Sequence, residues 1–166
     1  VFQNPEDQLF MPTVFEDVAF GPLNLGLPME EVEKRVISAL ETVGAAHLKD
    51  RPPYKLSSGQ KRSVAIASVL SMLPDILVMD EPTAGLDPKA RRQLINLLQT
   101  FTHTKIIATH DLDMVVDLCE RTIVLCDGIV IADRPTMEIF SDEQLLQRAH
   151  LEEPMKMQGC PLCTPI

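Results

Sequence analysis

The spacing of apolar residues predicts helices in the first part of the chain. Apolar positions recur every three or four residues over 14–20, over 29–43 and over 57–72. Thr13 and Glu16 have the spacing of a capping box before the first of these helices. Gly44 is a natural end for the second helix, and Pro74 follows the third. Residues 13 to about 50 are therefore expected to form a small helical unit.

From residue 76 onward, short apolar runs alternate with helical stretches. Strands are predicted over 76–80, 105–109, 121–126 and 129–133, and helices over 88–101 and about 111–119. Asp127-Gly128 is a hairpin turn between the last two strands, and Ser141 with Gln144 begins one more helix. Alternating strands and helices predict an α/β fold whose largely parallel sheet is covered on both faces.

Composition narrows the class of protein. The chain has 166 residues, of which 45% are hydrophobic and 23% charged, as in a globular domain with a proper core. No apolar run approaches the roughly 20 residues of a membrane span. The net charge of −9 argues against a nucleic-acid binder. Cys119 and Cys126 lie in apolar segments, which fits a reducing cytosol or the cytosolic face of a membrane.

Polar side chains follow two of the predicted strands. Asp80 and Glu81 end the first strand, and Thr109, His110 and Asp111 end the next. In open α/β sheets, ligands bind beyond the carboxyl ends of the strands, so these two clusters predict a site. Considered alone, the acids could equally cap a helix or form a surface turn, and His110 could be an ordinary loop histidine.

The segment "LSSGQ", residues 56–60, begins the third predicted helix. Free N–H groups and the positive end of the helix dipole make such a start an anion site. Gly59 would let a phosphate approach the backbone closely. The alternative for this segment alone is a simple serine N-cap.

In order along the chain, "FQNPEDQLF", "LSSGQKR", "ILVMDEPTAGLDP" and "IIATHD" resemble the second half of an ATP-binding cassette (ABC) ATPase, up to about Asp133. The resemblance implies a P-loop NTPase-like fold, with a mostly parallel sheet, flanking helices and a small helical subdomain. It divides the chain into a Q-loop region (1–12), a helical subdomain ending in the signature helix (13–72), a catalytic core (73–150) and a flexible tail (151–166).

The resemblance also implies the cofactors ATP and Mg²⁺ and a role for each motif residue. A working site would need a dimer, because the signature of one subunit closes over the nucleotide of the other. The implied roles are Gln3 as the Q-loop glutamine that contacts Mg²⁺ and the attacking water, Leu56, Ser57, Ser58, Gly59 and Gln60 as the signature motif, Asp80 as the Mg²⁺ ligand, Glu81 as the catalytic base, Ala84 to Asp87 as the D-loop, and His110 as the switch histidine.

The sequence departs from the ABC pattern at two places. Ser58 stands where glycine is usual, and no G-x-x-x-x-G-K-[ST] occurs anywhere. "GPLNLG" at 21–26 has the glycine spacing, but Leu27 and Pro28 follow where lysine and a hydroxyl residue are required. We therefore expect the N-terminal portion with Walker A to be absent from this sequence, and this fragment alone to show little ATPase activity.

Within the ABC ATPases, "NPEDQLF" and "TVFEDVAFGPLNLGLP" resemble the energy-coupling-factor importers, in particular the cobalt and nickel group. This implies a subunit on the cytoplasmic face of the membrane, paired with a second ATPase subunit and contacting an integral membrane subunit through the Q-loop region. It would power uptake of cobalt, nickel or a vitamin. The alternatives are a non-hydrolysing partner that lends its signature motif, and an ABC protein acting on ribosomes or DNA.

The C-terminal "CPLC" invites a metal-site interpretation. Cys160 and Cys163, with His150 nearby, provide fewer than the four ligands that a structural zinc site needs. Spare thiols on a flexible tail are the simpler expectation.

Overall fold

The computed structural model describes residues 1–158. These residues form two compact units, Val1–Thr109 and a second that begins at His110. The four-part division made from the sequence stays a prediction. The helices and strands, in chain order, are α1 (Val14–Asn24), α2 (Met29–Thr42), α3 (Ser58–Leu70), β1 (Ile76–Asp80), α4 (Pro88–Thr100), β2 (Thr104–Ala108), α5 (Leu112–Leu118), β3 (Arg121–Cys126), β4 (Ile129–Pro135), α6 (Thr136–Phe140) and α7 (Glu143–Arg148).

Helices α1, α2 and α3 pack around the apolar core of the first unit. The predicted capping box is confirmed: Thr13 Oγ1 accepts the N–H of Glu16, and the Glu16 carboxylate accepts the N–H of Thr13. Each fully buried valine or leucine contributes about 1.5–3 kcal/mol of stability. The core includes Val14, Val18, Val32, Val36, Leu40, Leu48 and Val64.

Helix α1 continues past its predicted end, through Gly21 and Pro22. Because proline has no N–H, the carbonyl of Val18 lacks its helical donor. The buried Ser71 supplies one, since its Oγ donates to Val18 O at 2.8 Å. A contact from a distant part of the chain therefore overrides the local helix-ending signal. The same helix holds the first four residues of "GPLNLG", which is therefore no phosphate-binding loop.

Strands β1 and β2 form a parallel pair in which Asp80 lies beside Ala108. Helix α4 connects them, so the predicted α/β fold is confirmed. Leu77 and Met79 are buried, whereas Ile76 and Val78 on the other face are 53% and 55% exposed. Within the described part of this unit, β1 is thus covered on one face, where the sequence pattern predicted cover on both.

The second unit is built on the antiparallel hairpin of β3 and β4. Asp127 and Gly128 have φ of +50° and +76°, as a two-residue hairpin turn requires. Helix α6 was not predicted, and α7 begins after Asp142 rather than Ser141, because the Asp142 carboxylate accepts the N–H of Leu145 at 3.0 Å. The core of this unit comprises Val115, Val124, Ala132, Ile139, Phe140, Leu145 and Leu146.

None of the helices found in residues 1–158 combines the length and the apolar character needed to cross a bilayer.

Candidate functional site

Two carboxylates lie at the carboxyl end of β1, as the sequence predicted. Asp80 is exposed there, whereas Glu81 is half-buried. The N–H of Glu81 donates to Ala108 O at 2.8 Å, which continues the pairing with β2 by one step. Thr109 Oγ1 donates to Glu81 Oε2 at 3.1 Å. A side chain at the end of the neighbouring strand therefore holds the Glu81 carboxylate.

The backbone of Glu81 is in the left-handed region, with φ of +43°. A non-glycine residue there costs about 1–3 kcal/mol, and such residues concentrate at functional sites. Although Asp80 and Glu81 are consecutive, their carboxylates differ, because Asp80 is exposed and Glu81 is half-buried and hydrogen-bonded by Thr109. An exposed carboxylate suits a hard cation such as Mg²⁺, and an anchored carboxylate suits the orientation of water.

A tight turn leads from Glu81 into α4. The N–H of Ala84 donates to Glu81 O at 3.1 Å, and Gly85 has φ of +70°. Asp87 Oδ1 accepts the N–H groups of Lys89 and Ala90, both at 2.9 Å. The structure thus gives Asp87 a helix-capping contact, and its contact with nucleotide stays a prediction.

The signature segment forms the N-terminus of α3. Ser57 Oγ accepts the N–H of Gln60, and Gln60 Oε1 accepts the N–H of Ser57 at 3.0 Å. Two backbone amides, those of Ser58 and Gly59, have no partner in the part of the chain that the structure describes. Leu56 is buried in the core and anchors the segment. The helix start can therefore receive an anion.

Gly59 is also a packing residue. A Cβ built on it would lie 3.0 Å from the Cβ of Ala90 on α4, closer than ordinary van der Waals contact. An open cleft of about 660 Å³ in the first unit is bordered by the start of α3 and the start of α4, including Gln60 and Lys89. Glycine thus serves both close helix packing and access to the backbone.

The segment that contains Gln3 runs beside β1. The N-terminal amine of Val1 donates to Val78 O at 2.7 Å, and the N–H of Asp80 donates to Val1 O at 3.2 Å. Asn4 Oδ1 then accepts the N–H of Glu6 and caps a short 3₁₀ helix, Pro5–Asp7. The Gln3 side chain is exposed. Its chain segment is therefore fixed next to the end of β1.

The remaining predicted site residue, His110, belongs to the second unit. Its side chain is exposed, and it directly follows Thr109 in the sequence. Asp111 Oδ1 accepts the N–H of Met114 at 3.1 Å and so caps α5. Cys160 and Cys163 lie outside the described residues. Among residues 1–158, no group of three or more His, Cys, Asp or Glu side chains is placed to hold a metal ion.

Comparison with known proteins decides the family. Residues 10–117 match the family model "AAA domain, putative AbiEii toxin, Type IV TA system". Over 163 residues the chain is 69% identical to a "Putative ABC transporter ATP-binding protein" of Geobacter sulfurreducens, covering 98% of this chain and 66% of that protein. The cbiO1 structure from Clostridium perfringens, part of the ABC transporter complex cbiONQ, superposes with a TM-score of 0.78 and 44% identity. This chain belongs to the ABC ATPase family.

The names of other relatives agree with the sequence motifs of this ABC-family chain. The "Energy-coupling factor transporter ATP-binding protein EcfA" of Methanocaldococcus jannaschii is 50% identical over 157 residues, which cover 93% of this chain and 56% of that protein. The cbiO1 match covers 90% of this chain and 61% of that one. The chain thus spans less than two thirds of the length of these relatives. Their names, unlike the toxin in the family model's description, agree with the motifs above.

The sequence motifs assign no role to three further functional candidates of this ABC-family chain, Gln8, Asp17 and Arg62. Arg62 donates from its two terminal nitrogens to Phe2 O at 2.7 Å and to Gln3 O at 2.6 Å. Gln8 Nε2 donates to α3, at Ala65 O, at 2.6 Å. The sequence does contain a signal for Arg62. This charged residue lies on the same helix face as the apolar residues three and four positions later, which are buried.

Asp17 holds the other end of the same segment. Its Oδ1 accepts the N–H groups of Phe10 at 2.9 Å and Met11 at 3.0 Å. Its Oδ2 is buried and has no hydrogen-bond partner among the described residues. Burial therefore raises the pKa of the Asp17 carboxyl above its ordinary value, although the two backbone N–H groups act in the opposite direction.

Proposed function

We propose that the complete protein is the ATP-hydrolysing subunit of an ABC importer. The observation that supports this most is the Glu81 carboxylate at the end of β1, in a left-handed residue and hydrogen-bonded by Thr109. A carboxylate held in this way can orient a water molecule and accept its proton during attack on a phosphoryl group. The names of the relatives support ATP as the nucleotide.

The residues present fit a Mg²⁺ ion as a cofactor. Asp80 offers an exposed carboxylate and Gln3 an exposed amide oxygen, which are hard oxygen ligands of the kind that Mg²⁺ takes. The hydrogen bond between Asp80 N–H and Val1 O brings the segment that leads to Gln3 beside the end of β1. When bound, Mg²⁺ would neutralise charge on the phosphates.

The signature segment supports a dimer as the active form. The N–H groups of Ser58 and Gly59 at the start of α3 offer a site for the γ-phosphate of ATP held by a second ATPase subunit. His110 and Asp87 are the further residues that we assign to this phosphate and to the subunit interface. Homodimer and heterodimer are both compatible with this arrangement.

An integral membrane subunit is the second proposed partner, contacted from the cytoplasmic face through the Q-loop region. Phe10 and Phe20 are 64% and 44% exposed, and their rings meet edge to face with centroids 5.0 Å apart. Aromatic residues are enriched at protein interfaces, and Phe10 lies within the Q-loop region, residues 1–12. The names of EcfA and cbiO1 place those proteins in transporters, which supports the same partner here.

Substitution of Glu81 tests the catalytic assignment. In the complete protein, Glu81→Gln should lower the ATP turnover number by about 10²–10⁴-fold, because the amide cannot accept the proton of water. ATP should then persist in a dimer that size-exclusion chromatography resolves. The matched control is Glu33→Gln, an exposed position on α2, which should turn over ATP as the wild type does. Full turnover by Glu81→Gln would show that another group is the base.

A transport assay tests the identity of the substrate. We propose cobalt or nickel as the substrate, on the resemblance of "NPEDQLF" and "TVFEDVAFGPLNLGLP" to the cobalt and nickel group of importers. Proteoliposomes that contain the complete protein and its membrane subunits should accumulate one of these ions when ATP is supplied on the side of the ATPase. Uptake of a vitamin without uptake of either ion would refute the metal assignment and leave the ATPase assignment intact.

A further inference from the structure

Three side-chain links connect residues 2–8, the first part of the Q-loop region, to helix α3. Arg62 donates to the carbonyl oxygens of Phe2 and Gln3 at 2.7 and 2.6 Å. Gln8 Nε2 donates to Ala65 O at 2.6 Å and to Ser68 Oγ at 2.9 Å. The Lys61 ammonium pairs with the Glu6 carboxylate. All three links join the same segment to the first three turns of α3.

Burial of the Arg62 guanidinium has a free-energy cost. Its side chain is 2% exposed, its Nε has no partner, and no carboxylate among the described residues forms an ion pair with it. A buried charge without a counter-ion destabilises a fold more than an apolar side chain of similar size would. What arginine provides here is a planar fork that binds two consecutive carbonyl groups in a fixed orientation. Packing alone gives no reason for that choice.

We propose that Arg62 is a positioning residue that fixes the backbone of Gln3 to the signature helix, so that the Q-loop and the signature motif move as one body. This inference rests on the proposed function, because it concerns the two segments to which that function assigns nucleotide contacts. Arg62 is one helical turn from Ser58 and Gly59, and a helix transmits displacement over that distance as a rigid element. Movement of the Q-loop by a partner therefore moves the anion-binding amides with it.

Arg62→Lys tests the fork directly. Lysine keeps the charge and the aliphatic stem but cannot bind both carbonyls in parallel. In the complete protein, kcat for ATP should decrease by about 10- to 100-fold, because small misplacements of reacting groups have effects of this size. KM for ATP should stay within about twofold, since Arg62 is not expected to touch the nucleotide. Arg92→Lys, the same change at an exposed position on α4, should leave both constants unchanged.

A double-mutant cycle separates positioning from general stability. If Arg62 acts through Gln3, then Arg62→Lys should cause little further loss of kcat in a Gln3→Ala background. A loss by the same factor in both backgrounds would overturn the proposal. Gln8→Ala removes an independent link from a half-buried side chain and should lower kcat in the same way by a smaller factor. Unchanged kcat in both single variants would also overturn it.

Amide hydrogen exchange gives a readout that does not depend on turnover. In Arg62→Lys, exchange over residues 2–9 should be faster than in the wild type, whereas exchange over α2 should be unchanged. Failure of the wild type to hydrolyse ATP would refute the proposed function, and exchange would still decide whether Arg62 holds the Q-loop. Equal exchange over residues 2–9 in the wild type and the variant would show that it does not.

Discussion

The buried carboxylate of Asp17 allows the strongest test of how the Q-loop is held. Asp17→Ala removes the acceptor of two backbone N–H groups, those of Phe10 and Met11. Hydrogen bonds to a charged group contribute about 1.5–3 kcal/mol each, and the cost of burying the charge offsets part of their sum. We therefore expect the free energy of unfolding to decrease by about 2–4 kcal/mol.

Asp17→Asn is the matched variant. Its side-chain oxygen can keep both N–H groups, while its NH₂ replaces Oδ2, which has no partner among the described residues. An unpaired buried donor costs about 1–3 kcal/mol, but the variant no longer buries a charge. The two effects oppose each other, so Asp17→Asn should lie within about 1 kcal/mol of the wild type at neutral pH and clearly above Asp17→Ala.

The difference in the free energy of unfolding between the wild type and Asp17→Asn should also depend on pH. Burial raises the pKa of folded Asp17 above its ordinary value of 3.8. Between the unfolded and the folded pKa, the folded protein binds more protons than the unfolded chain, so the free energy of unfolding decreases as pH rises through this window. Asp17→Asn does not titrate there. Its stability relative to the wild type should therefore improve as pH increases from 3.8 through the raised value.

Urea denaturation of the complete protein, followed by circular dichroism at several pH values, measures both effects. Equal stability of the alanine and asparagine variants would show that the two hydrogen bonds to Asp17 contribute nothing. A difference between the wild type and Asp17→Asn that is constant with pH would show that burial does not shift this carboxyl group.

Two further predictions concern local structure. Ser57→Ala removes the capping box of α3 and should lower the free energy of unfolding by about 1 kcal/mol. Ser63→Ala, on the same helix, is the control, and equal urea midpoints for the two variants would contradict the cap. Gly128→Ala places a side chain at φ of +76° in the β3–β4 turn and should lower the free energy of unfolding by about 1–2 kcal/mol. A thermal midpoint equal to that of the wild type would show that the turn relaxes without strain.

Elements defined by neighbouring residues could be predicted from the sequence. The capping box of α1, the bounds of β1 and β3, and the Asp127-Gly128 turn depend on residues within a few positions of one another. The end of α1 could not be predicted, because it depends on Ser71, 53 positions away from Val18. The periodicity of apolar residues does not indicate a hydrogen bond between residues so far apart in the sequence.

The same distinction between local and distant contacts applies to the candidate site. The sequence placed Asp80 and Glu81 at a strand end, which a short apolar run followed by acids is enough to indicate. The left-handed backbone of Glu81 and its hydrogen bond from Thr109 depend on the pairing of β1 with β2. The catalytic role that we propose for Glu81 therefore depends on geometry that the sequence pattern does not contain.

Asp17 and Arg62 together hold both ends of the Q-loop region, residues 1–12. The Q-loop presents carbonyl acceptors at its start and N–H donors at its end. A guanidinium on α3 satisfies the former, and a carboxylate on α1 satisfies the latter. Since α1 and α3 pack on each other, both anchors belong to the same helical core. The loop is thereby tied to the helical part of the first unit at both ends. A partner that pushes on Phe10 would then displace the signature helix rather than deform the loop.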